Sequence, residues 1–261
     1  MEKYRLYGSK PYTAVFLHGG PGAAGELKNV AARAAQYCGV IEALQGAVSI
    51  SGQVEELKAV VERNAPEGAV LAGHSWGAWL AWIFAAQFPK LVKKIILISS
   101  PPFKAEYAEK IMQTRLSRLN SPMGQELQFL LSNIENKAVR DRRRLMERLE
   151  QIMSKSDTCS PDMALYSKPE HNPDIYVKVW NEAAEMRKSG ELLLLSRKIK
   201  CHVTAIHGDY DPSPAEGVKI PLSAVKRKFT FHLLKNCGHS PWLEKDAAEN
   251  FFSILKEEIL K

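Results

Sequence analysis

The sequence predicts an α/β protein with a mostly parallel sheet of about six to seven strands, helices on both faces and a helical insertion. Strands and helices alternate through residues 13–100, as is typical of parallel βαβ units. From about residue 103 to residue 195 the pattern is helical and rich in Lys, Arg and Glu, and the alternation resumes at Cys201. We therefore expect residues 1–102 and 196–261 to form the α/β core and residues 103–195 to form a helical cap.

Short apolar runs bounded by turn residues predict the individual strands. These runs cover residues 13–17, 39–41, 69–73, 95–98, 203–206 and 229–234. A helix is predicted over about 23–37. A second helix is predicted over 51–64, where apolar side chains recur on one face, namely Val54, Leu57, Val60 and Val61.

The first clear strand begins at Thr13, so only 12 residues precede it. Residues 4–7 would add a seventh strand if they pair at the edge of the sheet. An uncovered edge near residues 39–48 would expose unpaired backbone groups, which invite pairing with another chain. We therefore predict that residues 1–12 cover this edge or that a homodimer does.

The most informative motif is Gly73-His74-Ser75-Trp76-Gly77, which joins a predicted strand to an apolar helix. A serine on such a sharp strand-to-helix turn exposes its hydroxyl, and the flanking glycines leave room for the turn. Ser75 is therefore the candidate nucleophile. A serine hydroxyl reacts only when an adjacent base takes its proton, so a histidine and a carboxylate should follow later in the chain.

Both partners are found after later strands and in the expected order. His239, in Gly238-His239-Ser240-Pro241-Trp242, is the candidate base. Two carboxylates follow the strand at 203–206. Asp211 fits a G-x-x-D pattern that begins at Gly208, whereas Asp209 lies nearer the end of the strand. Asp209 could also be an ordinary turn residue that bonds its own backbone.

A glycine loop, His18-Gly19-Gly20-Pro21-Gly22, follows the first predicted strand. Its glycines let the backbone approach a substrate oxygen closely. We expect the amides of Gly20 and Trp76 to hold the oxyanion, and Gly19, Phe103 and Trp242 are weaker candidates for substrate contacts. No H-E-x-x-H or paired C-x-x-C pattern occurs, so we expect neither a metal nor a cofactor.

Together these motifs resemble the α/β-hydrolase superfamily over essentially the whole chain. The H-G-G-P-G loop with the G-H-S-W-G turn is further similar to the proline iminopeptidase branch, whose members remove an N-terminal residue from small peptides. The family pattern favours Asp211 as the acid. One departure is Ile41-Glu42-Ala43-Leu44-Gln45-Gly46, which stands where that branch has a charged, glycine-rich D-x-R-G-x-G-x-S loop.

Composition restricts the partners and the location. The net charge of +7 is spread along the chain, and the one dense basic run, residues 140–144, is expected to be a solvated helix face rather than a nucleic-acid site. No apolar stretch reaches the length of a membrane span, and the first residues lack an apolar signal region, so we expect a cytoplasmic protein. Its four cysteines, Cys38, Cys159, Cys201 and Cys237, are widely spaced and are expected to be buried thiols.

The predicted function is that of a metal-independent serine hydrolase acting on a small ester, thioester or amide through an acyl-enzyme. The expected partner is a small-molecule acyl substrate, without nucleic acid or membrane. Two alternatives use the same residues: an aminopeptidase like the proline iminopeptidases, and a ligand-sensing homologue with little turnover. Hydrolytic cleavage of a carbon–carbon bond is a further enzymatic reaction that these residues could catalyse. Function resides in the site and not in the fold, so the substrate stays open.

Overall fold

The computed structural model describes residues 3–261 of the chain. The strands are β1 (Tyr4–Tyr7), β2 (Tyr12–Leu17), β3 (Ala23–Ala24), β4 (Gly39–Ala43), β5 (Ala69–His74), β6 (Val92–Ile98), β7 (Glu170–His171), β8 (His202–Gly208) and β9 (Phe229–Leu234). The helices are α1 (Lys28–Ala34), α2 (Ile50–Asn64), α3 (Trp76–Gln87), α4 (Ala105–Arg118), α5 (Ser121–Asn133), α6 (Arg142–Asp157), α7 (Pro173–Lys188), α8 (Glu191–Leu194), α9 (Glu216–Val225) and α10 (Ala248–Leu260).

Seven strands form one sheet in the order β1-β4-β2-β5-β6-β8-β9. Every neighbouring pair is parallel except β1 and β4, which are antiparallel. The predicted α/β architecture is therefore confirmed. The two remaining strands, β3 and β7, pair with each other outside this sheet.

Both faces of the sheet are buried, because successive side chains of a strand point to opposite faces. On β2, Val15 and Leu17 pack in one core together with α2 and α3, whereas Ala14 and Phe16 pack in the other with α1 and α10. Helix α3 is apolar all round, and eleven of its twelve residues are buried. The turn that begins α3 is therefore fixed by the most buried part of the molecule.

The N-terminal strand covers the edge of the sheet that the sequence leaves exposed. Tyr4 pairs with Ala43, and the register continues to Tyr7 opposite Val40. The Tyr7 hydroxyl of β1 also donates to the buried Glu42 carboxylate of β4 at 2.7 Å. Residues 4–7 thus add the seventh strand, which is the first of the two predicted alternatives. The homodimer remains a prediction.

Helices α4 to α8 fill the chain between β6 and β8, where the sequence predicts the insertion. Helices α5 and α6 share a small core of their own, against which side chains of α4 and α7 pack; it is formed by Leu127, Leu130, Ile134, Met146, Leu149 and Ile152. The boundaries 1–102, 103–195 and 196–261 remain predictions. None of the helices between residues 3 and 261 is long and apolar enough to cross a membrane.

Two local predictions differ from the structure. The helix predicted from about residue 23 begins at Lys28, because Ala23 and Ala24 instead pair with β7. The basic run 140–144 lies only partly in a helix, since Asp141 is the N-cap of α6 and accepts a hydrogen bond from the Arg144 N–H at 3.0 Å.

We predict that removal of residues 1–8 lowers the melting temperature and promotes self-association, because β4 would become an uncovered edge strand. Thermal denaturation and light scattering measure both effects. Tyr7→Phe is the control: it keeps β1 and removes only the hydroxyl bound to Glu42, so it should cost about 1–2 kcal/mol and leave the association state unchanged. A truncated protein that melts like the full chain and stays monomeric would contradict this role of β1.

Candidate functional site

Ser75 lies at the tip of a strained turn between β5 and α3. Its φ of 51° and ψ of −118° fall in a region that residues with a side chain seldom adopt. The Ser75 N–H donates to the Ile98 carbonyl at 2.9 Å, which ties the turn to the end of β6. A methyl group at Gly73 would overlap the Gly77 carbonyl, and one at Gly77 would overlap the Leu17 carbonyl. The two glycines are therefore required by the lack of space for a side chain.

The glycine loop that follows β2 lies directly against this turn. A methyl group at Gly19 would come within 3.2 Å of the Ser75 Cβ. Gly20 has a φ of 106°, which favours glycine. On the other side of Ser75, Trp76 is the first residue of α3, a position whose N–H has no acceptor within the helix. Trp76 thus follows the serine directly in the chain, and the loop that carries Gly20 lies beside it.

His239 and Asp211 form a direct hydrogen bond. Nδ1 of His239 lies 2.8 Å from Oδ2 of Asp211, whose side chain is fully buried, while 18% of the His239 side chain is exposed. The Ser213 N–H donates to the other Asp211 oxygen at 2.8 Å. Burial acts to raise the pKa of Asp211, but the imidazoles of His239 and His207 and these hydrogen bonds hold it below its ordinary value.

The hydrogen bond between Asp211 and His239 also determines the pKa of His239 and which of its ring nitrogens carries the proton. Burial acts to lower the pKa of His239, but the Asp211 carboxylate raises it above its ordinary value. Since Nδ1 keeps the proton that bonds Asp211, the neutral ring has its lone pair on Nε2. That nitrogen is the atom able to take a proton from a hydroxyl group.

Asp209, the alternative acid, lies elsewhere. Its carboxylate is 3.5 Å from the ammonium of Lys235 and accepts a hydrogen bond from the Cys237 N–H at 3.3 Å. Asp209 therefore braces the loop before His239, and Asp211 is the carboxylate beside the imidazole.

A carboxylate that the sequence analysis missed, Glu26, connects the glycine loop to the serine turn. Its Oε2 accepts from the Gly19 N–H at 2.7 Å and lies 3.1 Å from Nδ1 of His74. The other ring nitrogen of His74 lies 2.9 Å from the His239 carbonyl oxygen. The Gly19 amide is thus engaged by Glu26, which leaves the Gly20 amide as the candidate donor from this loop. No local pattern marks Glu26, because its partner His74 lies 48 residues further along the chain.

The contacts of Glu26 change the titration of its carboxyl group. Its carboxylate faces the His74 ring and accepts from the Gly19 N–H. Burial acts to raise the pKa of Glu26, but His74 and the Gly19 N–H together hold it at about 2. The contacts of Glu26 and His74 therefore join the glycine loop, the serine turn and the histidine loop.

The helical segment also holds the histidine loop. The His239 N–H donates to the Asp157 carbonyl at 2.7 Å, and the Asp157 carboxylate is bound by the Arg115 guanidinium at 2.6 Å. Next to it, the buried Glu244 carboxylate accepts from the N–H groups of Gly238 and Ser160, at 2.9 and 2.6 Å. The end of α6 and the His239 loop are thus bonded at several points that the sequence did not reveal.

The aromatic residues near the motifs are packed within the protein. The Trp76 indole is fully buried and donates to the Gln53 side chain at 2.9 Å. Phe103, also fully buried, contacts Trp82 edge-on with ring centroids 5.0 Å apart. Trp242 packs edge-on against His74 at 4.7 Å. All three aromatic side chains therefore pack against other residues of the protein. The substrate contacts predicted for Gly19, Phe103 and Trp242 remain predictions.

Within residues 3–261, no group of three or more His, Cys, Asp or Glu side chains is placed to hold a metal ion. The four cysteines are free thiols, but the expected burial is correct only for Cys237: Cys38 and Cys201 are partly exposed and Cys159 is exposed, since it lies in a surface loop after α6.

We predict that Glu26→Gln destabilises the protein at neutral pH and has little effect at low pH. A pKa held at about 2, below the ordinary 4.5, contributes stability above about pH 4.5 that is lost as the pH falls toward 2. The expected loss in the free energy of unfolding is on the order of 1–3 kcal/mol at pH 7 and shrinks toward pH 3.

Urea denaturation at pH 7, 4.5 and 3 measures this difference. Glu55→Gln, an exposed carboxylate on α2, is the matched control and should change stability little at any pH. A Glu26→Gln effect of the same size at pH 7 and pH 3 would contradict the lowered pKa of Glu26.

Solved structures with this fold cover nearly the whole chain. VinJ superposes with a TM-score of 0.70 at 16% identity, over 98% of this chain and 94% of that one. The proline iminopeptidase of Mycobacterium smegmatis gives 0.65 at 17% identity, over 98% and 93%. Est816, described as an N-acyl homoserine lactone degrading enzyme, gives 0.64 at 18% identity, over 97% and 95%. At these identities the likeness shows the fold alone.

Sequence comparison supplies the family. No curated protein matches the chain with significant similarity. The model of the alpha/beta hydrolase family, in contrast, matches residues 14–252, which includes the serine turn, both candidate acids and the candidate histidine. This protein therefore belongs to the alpha/beta hydrolase family.

Proposed function

We propose that the protein is a serine hydrolase that cleaves a small ester, thioester or amide through an acyl-enzyme on Ser75. The observation that carries this proposal is the 2.8 Å hydrogen bond between His239 and the buried Asp211, in a loop that contacts the residue before Ser75. Family membership makes hydrolysis the expected chemistry. The residues and their roles are our assignment.

In the proposed reaction, Ser75 attacks the acyl carbonyl while Nε2 of His239 takes the hydroxyl proton. Asp211 keeps the imidazole in the required tautomer and stabilises the imidazolium that forms. The N–H groups of Gly20 and Trp76 stabilise the oxyanion, and His239 then protonates the leaving group. A water molecule deprotonated by His239 releases the acid and restores Ser75.

Glu26 and His74 help to position the groups that would carry out this reaction. Glu26 accepts from the amide preceding that of Gly20, and His74 bonds the backbone of His239. The glycine loop and the loop of the candidate base are thus both bonded to one partly buried pair. Such prior positioning is the main way an enzyme stabilises charge that develops in a transition state.

Ester or thioester cleavage is preferred over aminopeptidase activity because the carboxylate next to the serine turn is already paired. Glu26 accepts from Gly19 and faces His74, so it has a partner before any substrate amine arrives. A panel of p-nitrophenyl esters, acyl thioesters and aminoacyl amides separates these substrate classes. Turnover of none of them, with an intact Ser75, would favour the ligand-sensing alternative.

We predict that Asp211→Asn lowers kcat far more than Asp209→Asn does in p-nitrophenyl ester hydrolysis. Losing the carboxylate that orients the base leaves the wrong tautomer, which costs about ten-thousand-fold in other Ser-His-Asp enzymes. Since Asp211 raises the pKa of His239, activity should fall with decreasing pH through that raised value. Any residual activity of Asp211→Asn should show its inflection at lower pH.

Ser75→Ala provides the baseline, about a million-fold below wild type if the three residues act as a unit. Asp209→Asn is the matched control: a carboxylate two residues away, with a visible structural partner in Lys235. Equal damage from the two aspartate variants, or greater damage from Asp209→Asn, would move the acid away from Asp211.

A further inference from the structure

Arg118, the last residue of α4, bonds the loop that carries Asp211. One nitrogen of its guanidinium group, Nη1, donates to the Tyr210 carbonyl at 2.8 Å, and the guanidinium carbon lies 3.6 Å from the centroid of the Tyr210 ring. The Tyr210 carbonyl belongs to the same planar peptide unit as the N–H of Asp211. A hydrogen bond to this oxygen therefore restricts the backbone from which the Asp211 carboxylate projects.

The same nitrogen also bonds the end of α6. Nη1 of Arg118 donates to the Ser156 carbonyl, again at 2.8 Å. Ser156 is followed by Asp157, and both residues are buried. The Asp157 carbonyl accepts from the His239 N–H at 2.7 Å. Arg118 thus holds the short segment that in turn holds the histidine loop.

These contacts form a closed ring of bonded groups around the candidate acid and base. From Asp211 the ring passes to His239 through the 2.8 Å side-chain hydrogen bond, and from His239 it passes to Asp157. It returns through Ser156 and Arg118 to the residue before Asp211. The distance between the acid loop and the end of α6 is therefore set by a single guanidinium group.

Two other contacts limit what the loss of this group can do. The Tyr210 N–H donates to the Cys237 carbonyl at 2.8 Å, which joins the acid loop directly to the histidine loop. Arg115, one turn earlier on α4, binds the Asp157 carboxylate through Nε and Nη2. Without Arg118, the loops stay attached to each other and α6 stays attached to α4. Its loss should therefore loosen the acid and the base without unfolding the chain.

We propose that Arg118 is a positioning residue for the Asp211–His239 pair, which it holds through the backbone on both sides. The kinetic part of this inference rests on the proposed hydrolase function, whereas the effect on His239 itself can be measured without turnover. Arg118 acts through the Tyr210 and Ser156 carbonyls, and we assign it no contact with substrate. An arginine of the helical segment thus sets the geometry of the base.

Kinetics with p-nitrophenyl acetate on the full chain test this role. Arg118→Ala should lower kcat about 10- to 100-fold with little change in KM, because a small displacement of catalytic groups costs up to about 100-fold in rate. Arg118→Lys should keep more activity than Arg118→Ala. A single nitrogen makes both hydrogen bonds in the wild type, and an ammonium group can also donate to two carbonyls.

Arg148→Ala is the matched control. Arg148 is also an arginine of the helical segment, and it joins α6 to α5 by binding Glu126 at 2.6 Å. Its loss removes one charge and one contact between helices, as the loss of Arg118 does, but it leaves the ring around Asp211 and His239 intact. We therefore expect Arg148→Ala to keep the wild-type kcat.

The titration of His239 gives a readout that a general loss of stability does not move. Three charged groups and one further imidazole face His239, namely Asp211, Asp157, Arg115 and His74. Removal of a nearby positive charge alone would raise the pKa of the imidazole, whereas a weakened bond to Asp211 would lower it. NMR titration should therefore give a lower His239 pKa in Arg118→Ala than in the wild type, and the wild-type value in Arg148→Ala.

Three results would overturn this role of Arg118. They are a wild-type kcat in Arg118→Ala, a His239 pKa in that variant that is equal to or above the wild-type value, and equal loss of activity in Arg148→Ala. Circular dichroism shows whether each variant is folded. Arg118→Gln, which keeps much of the aliphatic stem, replaces an alanine variant that does not fold and carries the same expectations. A wild type without turnover would instead contradict the proposed hydrolase function, and the His239 titration would still decide the role of Arg118.

Discussion

The site depends on one backbone constraint, the left-handed turn at Ser75. A residue with a side chain adopts that conformation only when its surroundings enforce it. Here the enforcement is steric: Gly77 lies against the Leu17 carbonyl, Gly73 lies against Gly77, and α3 is buried on all sides. The same close contact brings the end of β2 against the turn, so the loop that carries Gly20 must lie beside the serine. The strain in the turn is thus balanced by packing of the central sheet.

Parallel strands then bring the remaining groups to the same edge of the sheet. Ser75 follows β5, Asp211 follows β8 and His239 follows β9, and ligands in open α/β sheets bind at the carboxyl ends of the strands. Two further interactions fix the loops against one another: Glu26 with His74, and Asp157 with both Arg115 and His239. His74 ends strand β5 of the sheet. Arg115 and Asp157, in contrast, lie on helices α4 and α6 of the helical segment. The geometry of His239 therefore depends on both parts of the chain.

The sequence predicts the features that have local signals. Glycine spacing identifies the turn at Ser75, strand ends identify His239 and the pair Asp209 and Asp211, and apolar runs identify the strands. It does not choose between the two aspartates from the residues alone, since both follow the same strand. It also misses Glu26 and Asp157, whose partners His74 and His239 lie 48 and 82 positions further along the chain. Such contacts depend on tertiary packing. The helix predicted from residue 23 is wrong for the same reason, because Ala23 and Ala24 pair with β7.

We infer that the turn at Ser75 presents a nucleophile that is activated by His239. Labelling with a fluorophosphonate, followed by mass spectrometry, tests it most directly, because the reagent reacts with an activated serine whatever the natural substrate is. Ser99 is a demanding control, since it also has a positive φ, of 46°, but its side chain is buried at the end of β6. We expect one label on Ser75, lost in Ser75→Ala and His239→Ala and retained in Ser99→Ala. A folded wild-type protein that stays unlabelled, or that carries the label on another residue, would contradict it.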